Sequence, residues 1–594
     1  MTSNFNFKRL VSIMVTGHGC PDTAPDLTSI GSNLIEQVQH ALPYDSATRL
    51  LSGFEPGIEQ ICVKKAQQLN WEIQLFLTHK TRQTDGLERL IEGDSISKIV
   101  SLGRSKTEPH LTPDPFKERD HIALNFADLL IIYWDSRCNE TSQFEHLQLI
   151  GRAAQSRKPV IWLSPDGKMH WLEIERLDDA ALELLKASNY SSDSLVACFK
   201  PFTQLDQTPI SSYIELLLNP TIQIHNPNAT ILRELTQTNG HTAFRDTGRL
   251  HDVMTGLLHS DQKGAWSSFK RKFLNYRRPK LWSKTPDEVQ PKAVLNQAFS
   301  HHDNLAEQAG GLHRSNIWLL YGFSALAVLV AVSAEVWQLH WLAYVELALI
   351  AMVIYRVWWA RKIQLHQKWI RHRFLAEQMR YCIMGYPALA IPNAFLAPVW
   401  EVNHQNQLQL NSAELWLLQR HLIVSGLPCD DGKVYTPPYH NHVLAEHIQA
   451  SVRSQMHYHQ MHHHQKHLGH KRLHALAELQ FLLTFIAVVV HIYIHANWLL
   501  LFTAALPAFA AALHGILTKL EMERISGQSA SLYQQLEHLD LALTRFIQET
   551  PPGDNSWHHW VSLHYLANKS QQTMSDNITQ WQHLIQVQQT EIPA

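Results

Sequence analysis

From Val11 to Leu163 the chain alternates short apolar runs with stretches whose apolar residues recur at helical spacing. Val11–Thr16, Arg49–Ser52, Glu72–Leu77, Lys98–Leu102, Asp128–Trp134 and Pro159–Leu163 predict strands. Leu27–Leu42, Gly57–Leu69, Pro115–Phe126 and Gln143–Gln155 predict helices between them. Asp128–Trp134 is apolar without alternation, as a central strand of a parallel sheet is when helices cover both its faces. Strands alternating with helices predict a Rossmann-like, doubly wound parallel α/β sheet over residues 1–168, with ligands at the carboxyl ends of its strands.

The second half has a different period. Ile317–Ala334 is an uncharged apolar run, close to the ~20 residues that cross hydrocarbon. Trp341–Trp359 follows after a short polar break, and Leu479–His495 and Trp498–Leu517 form a second such pair around Ala496-Asn497. The pattern predicts an all-α membrane region of four transmembrane helices in two hairpins. The two pairs also suggest an internal duplication. Arg314, Arg356, Arg361, Lys362, Arg371, Arg373, Lys471, Arg472, Lys519 and Arg524 flank the open ends, and no Lys or Arg lies at the tips. Basic flanks stay on the cytoplasmic side, so both termini are expected in the cytoplasm. Trp318, Trp337, Trp341, Trp358, Trp359 and Trp498 lie near span ends, as an interfacial belt does. Pro507 is expected to kink the fourth span.

These runs divide the chain into residues 1–168, a connector over 169–295, a first hairpin with flanking helices over 296–385, a cytosolic insert over 386–445, a second hairpin over 446–550 and a helical end over 551–594. A length of 594 residues accommodates three or four domains. The net charge of -2 sets up no field that attracts nucleic acid, and none is expected as partner. Six scattered cysteines show no CxxC spacing and read as reduced cytosolic thiols.

Candidate chemistry clusters at the strand ends. Gly17, His18 and Gly19 follow the first strand; Ser52, Gly53 and Gly57 follow the second and open a helix. Glycines at strand-to-helix turns let backbone N–H groups reach a phosphate, with the helix dipole behind them. Trp134 and Asp135 end the central strand, where Asp135 either binds a ribose hydroxyl or caps the next helix. Thr141 and Glu145 follow on that helix. Within or beside the spans, Glu335, Glu346, His491 and His495 are ionisable groups at membrane depth; such groups usually face protein or water, which marks them as pore or interhelix candidates. Glu335 and His495 fall near the tips. His459, His463 and His467 share a helix face at metal-ligand spacing, although no Cys or carboxylate accompanies them and a polar helix face explains them as well. The basic-aromatic run Trp266–Lys284 suits anionic lipid, a solvated linker or a nucleic-acid contact. Neither GxSxG nor a Walker A motif occurs.

The ordered segments VTGHG, LLSGFEPGIEQICVKKAQQLNWEIQLFL and FADLLIIYWDSRCNETSQFEHLQLIGRAAQSRKPVIWL, spanning roughly the first quarter of the chain, resemble SLOG domains. That superfamily includes Lonely Guy enzymes, DprA proteins and nucleotide sensors of bacterial defence systems. Its enzymatic branch carries a Pro-Gly-Gly-x-Gly-Thr-x-x-Glu loop. The corresponding stretch here, Ser136 to Glu145, keeps Thr141 and Glu145 and lacks the glycines, which implies binding without turnover and no catalytic residue. Gly19 also stands where membrane-linked relatives carry Arg. The paired spans and the helix around Arg371–Arg380 resemble SLATT modules attached to SLOG domains. The resemblance implies a homo-oligomeric pore-forming effector in the bacterial inner membrane. It would answer a nucleotide second messenger, cyclic or ADP-ribose-like, in antiviral defence, without a resident cofactor or metal. The alternatives are a membrane-anchored nucleotide hydrolase using Glu145 and a housekeeping nucleotide-gated channel.

Overall fold

The apolar runs pair into one large sheet in a computed structural model of the chain. It describes residues 9–586 apart from 18–26, 44–45, 79–95, 103–114, 135–139, 175–176, 178, 187–191, 224–225, 237–249, 251–253, 255–291, 403–407, 430–433 and 495. The strands expected from the sequence are β1 (Leu10–Gly17), β2 (Ala47–Ser52), β3 (Glu72–Leu77), β4 (Ile96–Ser101), β5 (Leu129–Tyr133) and β6 (Val160–Leu163). They run parallel, with α1 (Leu27–Ala41), α2 (Ile58–Gln68), α3 (Pro115–Asn125) and α4 (Glu140–Gln155) between them. β5 is buried along its whole length, which explains its unbroken apolar sequence.

The sheet does not stop at residue 168. β7 (Met169–Leu172) and β8 (Phe199–Phe202) add antiparallel to its edge, inside the expected connector. Helices α5 (Asp179–Lys186), α6 (Ser192–Val196), α7 (Pro209–Leu218) and α8 (Pro227–Thr236) occupy the rest of that stretch as far as it is described, while the basic-aromatic run lies outside the described residues. At four residues each, β7 and β8 are too short to show periodicity.

Among the described residues four helices are long and apolar enough to cross a membrane. They belong to α9 (Lys292–Trp337), α10 (Leu342–Lys362), a long helix in the second hairpin and its return. α11 (Leu365–Gly385) follows α10 after a single residue pair, Ile363-Gln364, with Gln364 left-handed at φ 50. The insert then supplies a two-stranded ribbon, β9 (Trp400–Val402) and β10 (Leu408–Leu410), helix α12 (Ala413–Ser425) and strand β11 (Val434–Tyr435). The second hairpin is α13 (Asn441–Tyr493) and α14 (Leu499–Leu520), followed by α15 (Met522–Glu549) and α16 (Trp557–Gln586). Glu521, left-handed at φ 45, makes the bend between α14 and α15 that Gln364 makes between α10 and α11. Pro507 sits inside α14, which remains one helix.

Among the described residues the sheet order is β11-β4-β3-β2-β1-β5-β6-β7-β8. The insert is therefore part of the α/β unit, since β11 pairs parallel with β4. The chain order reverses between β1 and β5, which places the ligand crevice of such a sheet at their carboxyl ends. The histidines of α13 pack against α15: His462 Nδ1 lies 3.2 Å from Ser529 Oγ and His463 Nδ1 2.9 Å from the Ser526 carbonyl. Among the described residues no group of three His, Cys, Asp or Glu side chains could hold a metal.

Candidate functional site

At the carboxyl edge the described residues form a buried ionic network. Arg119, on α3, enters beneath the loop after β2 with its side chain 1% exposed. Its guanidinium reaches Asp120 at 2.7 Å, Glu55 at 3.1 Å and Glu59 at 3.7 Å. Ser52 Oγ donates to Glu59 Oε2 at 3.0 Å, the Glu55 N–H donates to the same oxygen at 3.2 Å, and Thr16 Oγ1 donates to Asp120 at 2.7 Å. The network thus joins the ends of β1 and β2 to α2 and α3. Three carboxylates surround one cation. Burial pushes the Glu59 carboxyl up to about 7, opposed by Arg119 and reinforced by Asp120 and Glu55. The same carboxylates hold the Arg119 guanidinium charged, well above its ordinary value despite burial.

The glycines have separate reasons. Gly17 lies against β5, where a Cβ would come 2.6 Å from the Tyr133 carbonyl oxygen; it lets two strands meet at the topological reversal. Gly53 faces inward: a Cβ there would lie 2.0 Å from Arg119 Nη1, so its missing side chain makes room for the buried guanidinium and not for a phosphate. Gly57 is exposed, at φ +109 with nothing within 4 Å, and opens α2 in a conformation that L side chains rarely adopt. Phe54, buried and left-handed at φ 59, adds strain to the same loop. A ligand at this edge meets hydroxyl-accepting carboxylates, Glu55 and Asp120, beside the open N-terminus of α2. That pattern suits a ribose hydroxyl near the carboxylates and a phosphate at Gly57.

Trp134 does not face the crevice. It is 2% exposed and packs on Trp162, whose indole N–H donates to the Trp134 carbonyl at 2.8 Å; Phe199 of β8 packs on Trp162 in turn. His18, Gly19 and Asp135 lie outside the described residues. Thr141 and Glu145 fall in α4, with their side chains outside the described residues. Arg119, Asp120, Glu55 and Glu59 were not singled out by the sequence. The one signal was Gly53, a glycine with a buried partner that spacing alone does not name.

The opposite, amino edge of the sheet holds a second network, and it ties the sheet to the helical half. Arg420 of α12 pairs with Asp128 at 2.9 Å and donates to the Leu10 carbonyl; both side chains of the ion pair are buried. Asp128 also accepts from the Ser12 N–H at 2.9 Å. The last carbonyls of α12 carry the helix's partial negative charge and need donors. Arg49 of β2 donates to Ile423 and Val424, and Lys98 of β4 to Ser425 at 2.7 Å and Leu427 at 3.0 Å. α12 itself packs against α9, which continues into the first apolar span, and against α11, which follows the second span across the bend at Gln364.

In the spans, Glu335 is exposed on the last turn of α9, while Glu346 on α10 and His491 on α13 are half-buried; His495 lies outside the described residues. Tyr321 of α9 crosses α14 at Gly515, where a Cβ would come 2.1 Å from the ring. Equal lengths of helix run from that crossing to the two tips, Tyr321 to Trp337 and Gly515 to Leu499, roughly 24 Å each at 1.5 Å per residue. Ile317 and Trp318 cluster with Ile516, Leu517 and Leu520, so α9 and α14 run antiparallel and both tips lie on the same side of the helical layer, with the basic flanks on the other.

No family model, curated protein or solved structure matches the chain.

The ionic network makes stability depend on pH. Glu59 is ionised in the unfolded chain above its ordinary 4.5 but stays protonated in the fold until about 7. The folded state binds the extra proton, so the stability contributed by Glu59 falls as pH rises from about 4.5 to about 7 and levels off above. Glu59→Gln keeps an acceptor for Ser52 and the Glu55 N–H and removes this titration. Buried His121 and His421, held neutral by burial, add stability to both chains as pH rises towards 6.5, so the difference between the chains is the readout. In thermal melts from pH 5 to 8 the wild type should lose stability relative to the variant, by an amount on the order of a few kcal/mol. Parallel curves would remove Glu59 as the titrating group.

Proposed function

We propose that this chain is a ligand-controlled membrane protein. A nucleotide second messenger, cyclic or ADP-ribose-like, binds at the carboxyl edge of the sheet near Glu55, Gly57 and Asp120. Binding shifts a homo-oligomer of four-span subunits toward a state that permeabilises the bacterial inner membrane, as an antiviral effector does. The termini and the α/β half lie in the cytoplasm. The observation that carries the reading is the amino-edge clamp: Arg420, Arg49 and Lys98 join the sheet to α12, and α12 packs on α9, which becomes the first span, and on α11, which follows the second. A ligand that alters the carboxyl edge acts on a body whose other edge is bonded to the membrane helices. It can shift that body only by its difference in affinity between the two states.

The test is dye release from liposomes of anionic lipid carrying the full chain, with cyclic di- and oligonucleotides and ADP-ribose added one at a time. Release triggered by one class, and weakened at least tenfold in its half-maximal concentration by Gly57→Ala, is the expected result. Consumption of the nucleotide without release would replace this reading with the anchored hydrolase. No release and no binding across the panel would remove it.

A further inference from the structure

We infer that copies of this chain join head to tail in the membrane, with α13 of one copy seated on α10 of the next. The inference rests on the membrane reading above, and its pattern is an interface the chain already makes with itself. One shift without gaps superposes the landmarks of the two hairpins, although few residues are identical. The shift that carries Trp341 onto Trp498 also carries Lys362 onto Lys519 and the left-handed Gln364 onto the left-handed Glu521. It carries buried Leu320, Val353 and Ala360 onto buried Ala477, Ala510 and Leu517. Under that shift α9 corresponds to α13 and α10 to α14.

The spans stand in a row. α9 packs on α10 and on α14, and α14 on α13, while α10 and α13 share no extended contact. Accordingly 28% of the apolar window is buried in the first and fourth spans and only 11% in the second and third. The central contact joins α9, the first helix of one repeat, to α14, the second helix of the other. The row ends on α10 and α13, a second helix and a first. The same pair of surfaces that meets in the middle is thus left open at the two edges. A heterologous surface of this kind propagates from copy to copy and closes into a ring where the rotation per step allows.

The open faces correspond in position, though not in residue type. At the central crossing Tyr321 lies on Gly515, and the buried Ala325 and Ala512 lie about one turn farther toward the tips. The repeat places Glu478 and Leu482 on α13 where α9 has Tyr321 and Ala325. It places Trp358 and Tyr355 on α10 where α14 has Gly515 and Ala512. In one copy Leu482, Tyr355 and Trp358 are all more than half exposed, and so is the Glu478 side chain. Docked in the same way, Glu478 meets Trp358, over whose ring the Lys362 ammonium sits at 4.8 Å. An acid on one edge therefore meets a base on the other. Tyr355 and Trp358 hold the helices farther apart than Gly515 does, so the contact between copies is looser than the one within a copy and can be made or broken by a signal.

The experiment coexpresses two full-length populations, one carrying Tyr355→Cys and the other Leu482→Cys, and oxidises the membranes with copper phenanthroline. A disulfide dimer from the mixed population only is expected, with wild type as the control for native thiols. Homotypic dimers, or no dimer, in a chain that sediments with membranes would overturn the interface. A chain that stays in the supernatant would remove the membrane reading and this interface with it. In the same cross-linking pair, Glu478→Lys or Lys362→Glu alone should cut the dimer yield several-fold, and both together should restore it. Equal loss in the combined variant would overturn the Glu478–Lys362 pairing.

Discussion

Arg420→Ala lowers the stability of the full chain by roughly 3–5 kcal/mol, the usual consequence of leaving one member of a buried ion pair without the other. Asp128 is 2% exposed and Arg420 3%. Asp128 keeps the Ser12 N–H after the change but loses the Arg420 charge. Lys158 is the other cation that feels this carboxylate; burial pushes its ammonium down to about 8, and it already donates to the Leu124 carbonyl at 2.6 Å. It screens Asp128 without replacing the fork of Arg420. The Leu10 carbonyl loses its donor as well. Combining Arg420→Met with Asp128→Asn should recover part of the loss, because Asn still accepts from Ser12 and neither member of the ion pair is left charged without the other, while buried Lys158 loses the Asp128 charge. The midpoint of urea unfolding in detergent measures all three chains. Because Arg420 joins the sheet to α12, nucleotide-triggered dye release should fall in Arg420→Ala more than nucleotide binding does. A variant with wild-type midpoint and wild-type release would show that the clamp neither holds the halves together nor couples them.

The sequence made some of this visible and hid the rest for identifiable reasons. β1 to β6 were legible because strands covered on both faces are continuous apolar runs, and the spans because hydrocarbon demands length and the absence of charge. The predicted strand Glu72–Leu77 coincides with β3. β11 was not legible, being two residues long and paired with a strand far away in the chain. Neither was the clamp: Arg420 and Asp128 each read as an ordinary polar position, and only the fold brings them together. Trp134 suggested a ligand contact from its place at a strand end, but β7 and β8 extend the sheet and enclose it in an aromatic stack. The bends at Gln364 and Glu521 carry no glycine, so no local residue type announces them. The hairpin duplication was legible as hydropathy, whereas its register became clear only when the two left-handed residues fell at the same place.

Gly53→Val is the second change with a large expected effect, and it separates the two roles that a glycine loop can have. Had Gly53 served to admit a phosphate, valine would block a ligand and leave the fold intact. The structure places the Arg119 guanidinium in that space, with Nη1 2.0 Å and Cζ 2.3 Å from where a Cβ would stand. A free arginine end would swing aside. This one is 1% exposed and held by Glu55, Glu59 and Asp120. Moving it leaves three carboxylates together, Glu59 among them with no exposure, at a cost of roughly 3–5 kcal/mol. Gly53→Val should therefore lower the melting temperature of the chain by many degrees, more at pH 8 than at pH 5, since Glu59 left without Arg119 is tolerated better protonated. Gly57→Ala meets open space and carries only the strain of φ +109, about 1–3 kcal/mol confined to the loop. It should melt below wild type but above Gly53→Val, without the pH dependence, and act on ligand affinity. If the two variants melt alike, Arg119 does not fill the space beneath Gly53, and the β2 loop regains its reading as a phosphate cradle.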